Sequence, residues 1–478
     1  MKKTGLLFII LCMAVCFVPL LGMTVRPTTE TTENRNLSTF PSLKTEDGSL
    51  NLGFFKKFET WFHEHFAFRN EMVYADAKIQ GDVFHVSSED KVIYGKDDWL
   101  FYSSSLNDFV GMKRFTDREK YAVRTTLEMT ADYLRDKGIS MVLVAPPNKN
   151  TLYGQFMPYY DSLIADGEHT VDWLADITAE EGIPYADLTA LLRNEDETMY
   201  LKRDSHWNNK GAFLAYNSIM EALGCEYDRY ADTEPVWEQT EDGDLNRMLY
   251  SFYGEKEFNY RYDIPQAYQV TNGAESVEDV WIETACQEGN GKLLMFRDSF
   301  GNTLIPFVAN QFAQAWFSKE AQYRLEMLAD LLSPDYVVVE KSERTFRTMM
   351  TLPPIITAPQ VQLPSDVTAY SDTEDTDTEK ETRTAGEGNT AAVESVGAEK
   401  LFYKISGTVD GSLLNAETDI VVSVNGTPYR AYLTGEDSYA MFLPTERIPE
   451  FPVQVQVMTL EGDEAVSVLE EALDLAVE

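Results

Sequence analysis

Apolar residues along this chain first run together, then fall at helical and strand spacings, and near the end alternate. After Met1-Lys2-Lys3, positions 6–25 are almost unbroken in apolar character, long enough to span a bilayer. Residues 26–52 are polar and Thr-rich, a tether with a turn at Pro41. From Phe54 to Arg69, Phe55, Phe58, Trp61, Phe62 and Phe66 recur at helical spacing. Lys91 to Tyr102 reads as a hairpin turning at Gly95-Lys96-Asp97-Asp98.

An alternation of helices and short apolar strands follows. Helices are predicted over 117–137, 171–181 and 209–223, each closed by a glycine (Gly138, Gly182, Gly224), then over 300–312 and 319–332. Strands are predicted over 140–145, 184–188, 292–296 and 336–340. This pattern predicts an α/β fold, a mostly parallel sheet flanked by helices, over 53–352. Active sites of such sheets gather at the carboxyl ends of the strands.

Residues 353–400 change character. They are Pro-rich to 364, and 371–400 holds nine Asp or Glu against three Lys or Arg, with Val393 and Val396 as its larger apolar residues. That composition predicts a disordered acidic linker. From 401 to 478 short alternating strands return, with Asn425-Gly426 as a hairpin turn, predicting a small all-β domain used for binding or spacing.

Composition narrows the partners. A net charge of −39 argues against nucleic acid, whose phosphates it would repel, and against adhesion through a basic patch to anionic lipid. Membrane contact is expected through residues 6–25 alone, as an uncleaved anchor with the rest of the chain outside; the alternative is secretion after signal cleavage. Cys12 and Cys16 fall in that run, which leaves Cys225 and Cys286 either paired or as two buried thiols. No CxxC, zinc-ligand spacing or cofactor motif is present, so no metal or cofactor is expected.

Candidate chemistry centres on Lys202-Arg203-Asp204-Ser205-His206-Trp207, which holds one of only five histidines. An aspartate two residues before a histidine can brace the imidazole and fix its tautomer. His63, His65, His85 and His169 show no partner motif. The matching nucleophile is Ser299, in Arg297-Asp298-Ser299-Phe300, where a predicted strand turns into a helix. A serine there is also a common helix cap. With Ser299 just past a strand end, Asp204 and His206 in a loop, and each motif at an expected switch from sheet to loop, the favoured reading is a triad: Ser299 nucleophile, His206 general base, Asp204 its orienting acid. Two further readings stay open: a metal-dependent hydrolase built on Asp204, His206 and Asp298, and a non-catalytic glycan-binding or assembly protein.

These blocks carry a resemblance. Arg297-Asp298-Ser299-Phe300 is similar to the Gly-Asp-Ser block of SGNH hydrolases, with Arg in place of Gly. Asp204-Ser205-His206-Trp207 resembles the Asp-x-His-Trp block of the alginate O-acetyltransferase AlgJ/AlgX-like proteins and the related DHHW proteins, in which Asp and His also precede the serine. Looser likenesses are Glu33-Asn34-Arg35, Gly95 to Phe101 and Pro147 to Tyr153. The resemblance spans roughly 30–350. It implies an SGNH-like fold and an exported enzyme that moves acetyl groups onto a polysaccharide, taken from a membrane-bound O-acyltransferase. The same triad would serve a carbohydrate acetyl esterase. Asn148 and Arg297 are then candidates around the oxyanion, and Trp207, Tyr153 and Trp99 for stacking on sugars or packing the core.

Overall fold

The computed structural model describes residues 3–23, 25, 37–45, 48–165, 167–250, 256–365, 367–369, 388–397 and 399–476. Most of the acidic stretch 371–400, much of the tether and the Glu33-Asn34-Arg35 patch lie outside the described residues.

A seven-stranded sheet carries the central domain. Its strands are β1 (Ser140–Val144), β2 (Tyr185–Ala186), β3 (Tyr268–Val270), β4 (Trp281–Cys286), β5 (Lys292–Phe296), β6 (Gln314–Ser318) and β7 (Tyr336–Glu340), ordered β2-β1-β7-β5-β6-β4-β3. Neighbours from β2 through β6 run parallel; β4 and β3 add an antiparallel edge. Leu-Leu-Met-Phe in β5 and Val-Val-Val in β7 are buried on both faces because the period-2 alternation sends them to opposite cores. Leu294, Phe296, Val337 and Val339 join one, and Leu293, Met295 and Val338 the other.

Helices cover both faces. On one lie α1 (Asp117–Asp136), α2 (Thr170–Glu180) and α4 (Leu325–Leu332); on the other lies α3 (Asn209–Leu223), through Ala212, Ala215, Tyr216 and Ile219. Thr116 and Glu119 form a reciprocal capping box at the start of α1. Gly138, Gly182 and Gly224 close three helices at φ of 72°, 63° and 68°, where a side chain would strain the backbone.

Two predicted helices come out shorter. Residues 300–312 break into a 3₁₀ turn, Phe300–Thr303, and a short helix, Ile305–Ala309, because Pro306 near its start has no N–H to continue the first. The stretch 319–332 is helical only from Leu325: Lys319 donates its N–H to Val280 O, and Tyr323 stacks on Phe296 with ring centroids 4.4 Å apart.

The linker reading of 353–400 needs correction at both ends. Ile355, Ile356 and Ala358 are buried in the core, and Thr390–Val396 is a strand whose Val393 is 1% exposed. Burial of a few apolar residues against a neighbouring sheet outweighs the acidic composition there. With β8 (Val367–Ala369), β9 (Thr390–Val396), β10 (Phe402–Thr408), β11 (Asp419–Val424), β12 (Thr427–Arg430), β13 (Tyr432–Leu433), β14 (Ser438–Pro444), β15 (Val453–Glu461) and β16 (Glu464–Leu473), the C-terminal region forms sheets ordered β8-β16-β15-β11-β12 and β9-β10-β14-β13. These sheets do not stand apart. Their buried residues share one hydrophobic cluster with α1 and α4. Arg118 of α1, 6% exposed, donates to the carbonyls of Asn415, Thr418 and Glu436 at 3.0, 2.6 and 3.1 Å. This region is therefore part of what holds α1 in place, beyond any role in binding or spacing.

The N-terminal helix Lys3–Gly22 contains an 18-residue window apolar enough to cross a membrane, and most of its described side chains are exposed. Cys225 and Cys286 are free thiols.

Candidate active site

Ser299 follows the carboxyl end of β5. Its backbone sits at φ −70°, ψ −20°, an ordinary helical conformation, and its side chain caps no helix. The Oγ–H instead donates to His206 Nε2 at 2.7 Å. Gly301 is required two residues on: a Cβ there would lie 2.7 Å from Arg297 Cβ and 3.0 Å from Glu340 Oε2.

Asp204 and His206 share a bend, not a strand. Asp204 Oδ1 accepts the His206 backbone N–H at 2.9 Å and faces His206 Nδ1 at 2.7 Å, an Asx turn that brings residue i+2 back over residue i. An ionised carboxylate can only accept, so Nδ1 carries the proton and Nε2 presents a lone pair to Ser299. Burial alone would push the Asp204 carboxyl up. The His206 side chain and the N–H groups of Asp244 and His206 outweigh it and hold Asp204 well below the usual carboxylate range. The imidazole packs edge-on against Phe300, ring centroids 4.9 Å apart.

A second loop clamps this bend. Asp244 donates its N–H to Asp204 Oδ2 at 2.7 Å, and Asn246 its N–H to Arg203 O at 3.0 Å. Gly243 permits the approach, since a Cβ there would stand 2.3 Å from Arg203 O. The Asp244 carboxylate accepts from Ser205 Oγ at 2.6 Å and lies 3.7 Å from His206 Nδ1. Burial and the neighbouring Asp204 charge raise its pKa.

Residues 92–285 match the family model described as the SGNH hydrolase-like domain of the acetyltransferase AlgX. The chain is similar to the AlgX family. The match takes in Asp204 and His206 and ends before Ser299. No curated protein matches the chain. Among solved structures, a DHHW family protein from Eubacterium siraeum aligns at 15% identity over 49% of this chain and 86% of its own, TM-score 0.37. PatB1 of Bacillus cereus, with a sulfonyl adduct, aligns at 15% identity over 55% and 97%, TM-score 0.42. AlgX of Pseudomonas aeruginosa aligns at 14% identity over 75% and 87%, TM-score 0.36. With TM-scores below 0.5, these likenesses bear no further weight.

The remaining candidates, inside and beyond this AlgX-like match, are placed differently from one another. Asn148 follows β1 but is 1% exposed; its N–H goes to Glu343 Oε2 (2.6 Å) and its Nδ2 to Asp108 Oδ2 (3.2 Å). Arg297 is 2% exposed and ties a neighbouring loop through the carbonyls of Val277 and Asp279, both at 2.9 Å, and through Asn302. Both side chains are thus held by protein partners, although Asn148 Oδ1 and Arg297 Nε make no hydrogen bond among the described residues. Trp207, 1% exposed, donates to Thr303 Oγ1 and packs on Phe300, so it fills core and offers no face to a sugar. Trp99 is also buried, stacked on Phe156. Tyr153 is half-buried; its hydroxyl accepts the Met199 N–H and its ring leans on Trp99. Asp298 bonds away from His206, accepting from the Phe300 N–H and from Ser342 and Thr345. Among the described residues, the group around His206 close enough to share a metal is Asp204, His206 and Asp244, without Asp298.

Three neighbours of the site were not singled out from the sequence, although Lys149 lies within the Pro147 to Tyr153 likeness. Asp244 is one. Arg344 is another: its guanidinium lies 5.0 Å over the Phe300 ring and makes no hydrogen bond to the described residues. The third is Lys149, 4% exposed, whose Nζ donates to Leu100 O, Lys202 O and Asp204 O at 2.7, 2.8 and 2.8 Å. Burial pushes Lys149 down to about 7, against the nearby carboxylates of Glu257, Asp204 and Asp244. Three acceptors match the three N–H groups of an ammonium, so the lysine fixes the backbone beneath Asp204. Lys149→Met should lower stability by roughly 2–4 kcal/mol, since orphaned carbonyls outweigh relief of a buried charge. It should also lower kcat about tenfold through misplacement of Asp204. Unchanged melting and turnover would refute that role.

Proposed function

We propose that the protein is an exported, serine-dependent O-acetyltransferase acting on a polysaccharide, with Ser299 as nucleophile, His206 as general base and Asp204 as its orienting acid. The observation that carries this reading is the unbroken run of hydrogen bonds from Asp204 Oδ1 through His206 to Ser299 Oγ, each 2.7 Å. In the first half-reaction His206 Nε2 takes the Ser299 proton as Oγ bonds to the acetyl carbonyl carbon. The oxyanion collapses, the donor oxygen leaves with the proton held on His206, and Ser299 carries the acetyl ester. A sugar hydroxyl then gives its proton to His206 as it attacks the ester carbonyl carbon, and His206 returns that proton to Ser299 Oγ as the ester bond breaks. Arg344, over the ring next to the nucleophile, is a cation available to the developing negative charge.

The AlgX family match over 92–285 supports acetyl transfer as the chemistry. The N-terminal apolar helix fits an anchor that leaves the domain outside the membrane, beside a membrane-bound O-acyltransferase as donor. A carbohydrate acetyl esterase is the second reading: His206 keeps 20% of its side chain exposed, so water can reach the ester.

Incubation with p-nitrophenyl acetate and candidate oligosaccharides tests both. Peptide mass spectrometry should find an acetyl group on Ser299, and an acetylated oligosaccharide should accumulate. Acetate as the sole product identifies an esterase. No acetyl on Ser299 and no turnover would leave a glycan-binding protein.

A further inference from the structure

A second polar cluster lies outside the triad, at the carboxyl ends of β1 and β7. Asp108 comes from the short helix Leu106–Phe109, His169 from the position just before α2, and Glu343 from the turn after β7. One ligand atom from each lies within 4.8 Å of the other two. His169 Nδ1 stands 3.8 Å from Asp108 Oδ2, too far for a hydrogen bond. It is near the separation of about 3.4 Å that two ligands of a tetrahedral centre with bonds of about 2.1 Å adopt.

Independent of that spacing, two buried oxygens have no partner among the described residues. Glu343 is 3% exposed and its Oε1 is unbonded, while Oε2 accepts from Asn148 N–H and Thr151 Oγ1. Asn148 is 1% exposed and its Oδ1 is unbonded, on the same amide whose Nδ2 reaches Asp108. Neither carboxylate has a Lys or Arg ion pair among the described residues; half-buried Asp108 has His169 beside it, and a buried carboxylate such as Glu343 is ordinarily paired or bound to metal.

We propose that Asp108, His169, Glu343 and the Asn148 carbonyl form a binding site for a divalent transition cation. Two carboxylate oxygens, one imidazole nitrogen and one amide oxygen suit Zn²⁺ or Mn²⁺ better than the all-oxygen preference of Ca²⁺ and Mg²⁺. The ion joins three loops and anchors the residue after β1, a structural role separate from acetyl transfer.

Full-length protein, stripped with a chelator and dialysed, is titrated with ZnCl₂ and separately with MnCl₂ by calorimetry in excess Mg²⁺. A saturable site should appear, and Zn²⁺ should raise the melting temperature. Glu343→Gln and His169→Gln should each weaken binding by at least about tenfold and abolish the rise in melting temperature. His169 is partly exposed, so its variant carries the test if Glu343→Gln fails to fold. Absence of saturable binding to folded protein overturns the proposal, as does binding that survives both variants. Binding lost on Asp244→Asn but kept in His169→Gln would place the ion at the triad instead and also overturn it.

Discussion

Ser299→Ala should lower turnover of a soluble acetyl ester by about 10⁴- to 10⁶-fold, the loss typical of removing a nucleophile whose partners stay in place. Even the lower bound corresponds to roughly 5.5 kcal/mol of lost barrier lowering. The fold should hardly notice. Ser299 caps nothing, its backbone conformation suits alanine, and its one side-chain hydrogen bond goes to the partly exposed His206. Stability within about 0.5 kcal/mol of the parent is expected by denaturant unfolding. His206→Ala should lose as much, and the double variant no more than either alone, because nucleophile and base act as one unit. Stopped assays with p-nitrophenyl acetate and mass spectrometry of Ser299 make the measurement. Near-parental hydrolysis by either single variant would end the triad assignment.

What could be read in advance follows from the range of the interactions. Four of the seven sheet strands and three of the helices were legible because their signals are local: buried apolar runs, period-3.6 stripes and a glycine at each helix end; Tyr268–Val270, Trp281–Cys286 and Gln314–Ser318 were not predicted. The pairing of His206 with Ser299 was legible because scarcity did the work, with five histidines and one Asp-x-His. How Asp204 reaches His206 was not, since an Asx turn and strand alternation predict the same proximity. Asn148, Arg297 and Trp207 are residue types equally at home in a site or a core, and only burial separates the two. Lys149, Asp244 and the Asp108–His169–Glu343 cluster were out of reach. Each depends on contacts across 39 to 235 positions, and apart from Lys149, which lies in the Pro147 to Tyr153 likeness, nothing in their local sequence marks them. The sequence of the acidic stretch misled at its end, where strand β9 pairs with β10 and the exposed Glu394 stands beside the buried Val393.

Asp204→Asn should lower kcat by about 10⁴-fold while leaving the bend folded. The asparagine oxygen, in place of Oδ2, can still accept the Asp244 N–H, while the His206 N–H held by Oδ1 loses its acceptor. Its amide nitrogen, however, donates towards His206 Nδ1, which moves the imidazole proton to Nε2 and closes the lone pair that Ser299 needs. The imidazolium formed during attack also loses its countercharge. A second carboxylate makes the outcome informative. Asp244 Oδ2 lies 3.7 Å from Nδ1, against 2.7 Å for Asp204, and already accepts from Ser205. Asp244→Asn should therefore cost far less, about tenfold, through loosened support of the bend. Acid stability separates the two further. A folded-state pKa held below its unfolded value contributes stability above the ordinary carboxylate range that fades as pH falls through the folded value. Asp204 has that lowered value and Asp244 a raised one. Asp204→Asn should flatten the loss of stability below about pH 4, and Asp244→Asn should not. Parallel kcat and acid-unfolding measurements on both variants decide between the carboxylates: a larger kcat loss in Asp244→Asn would transfer the orienting role to Asp244.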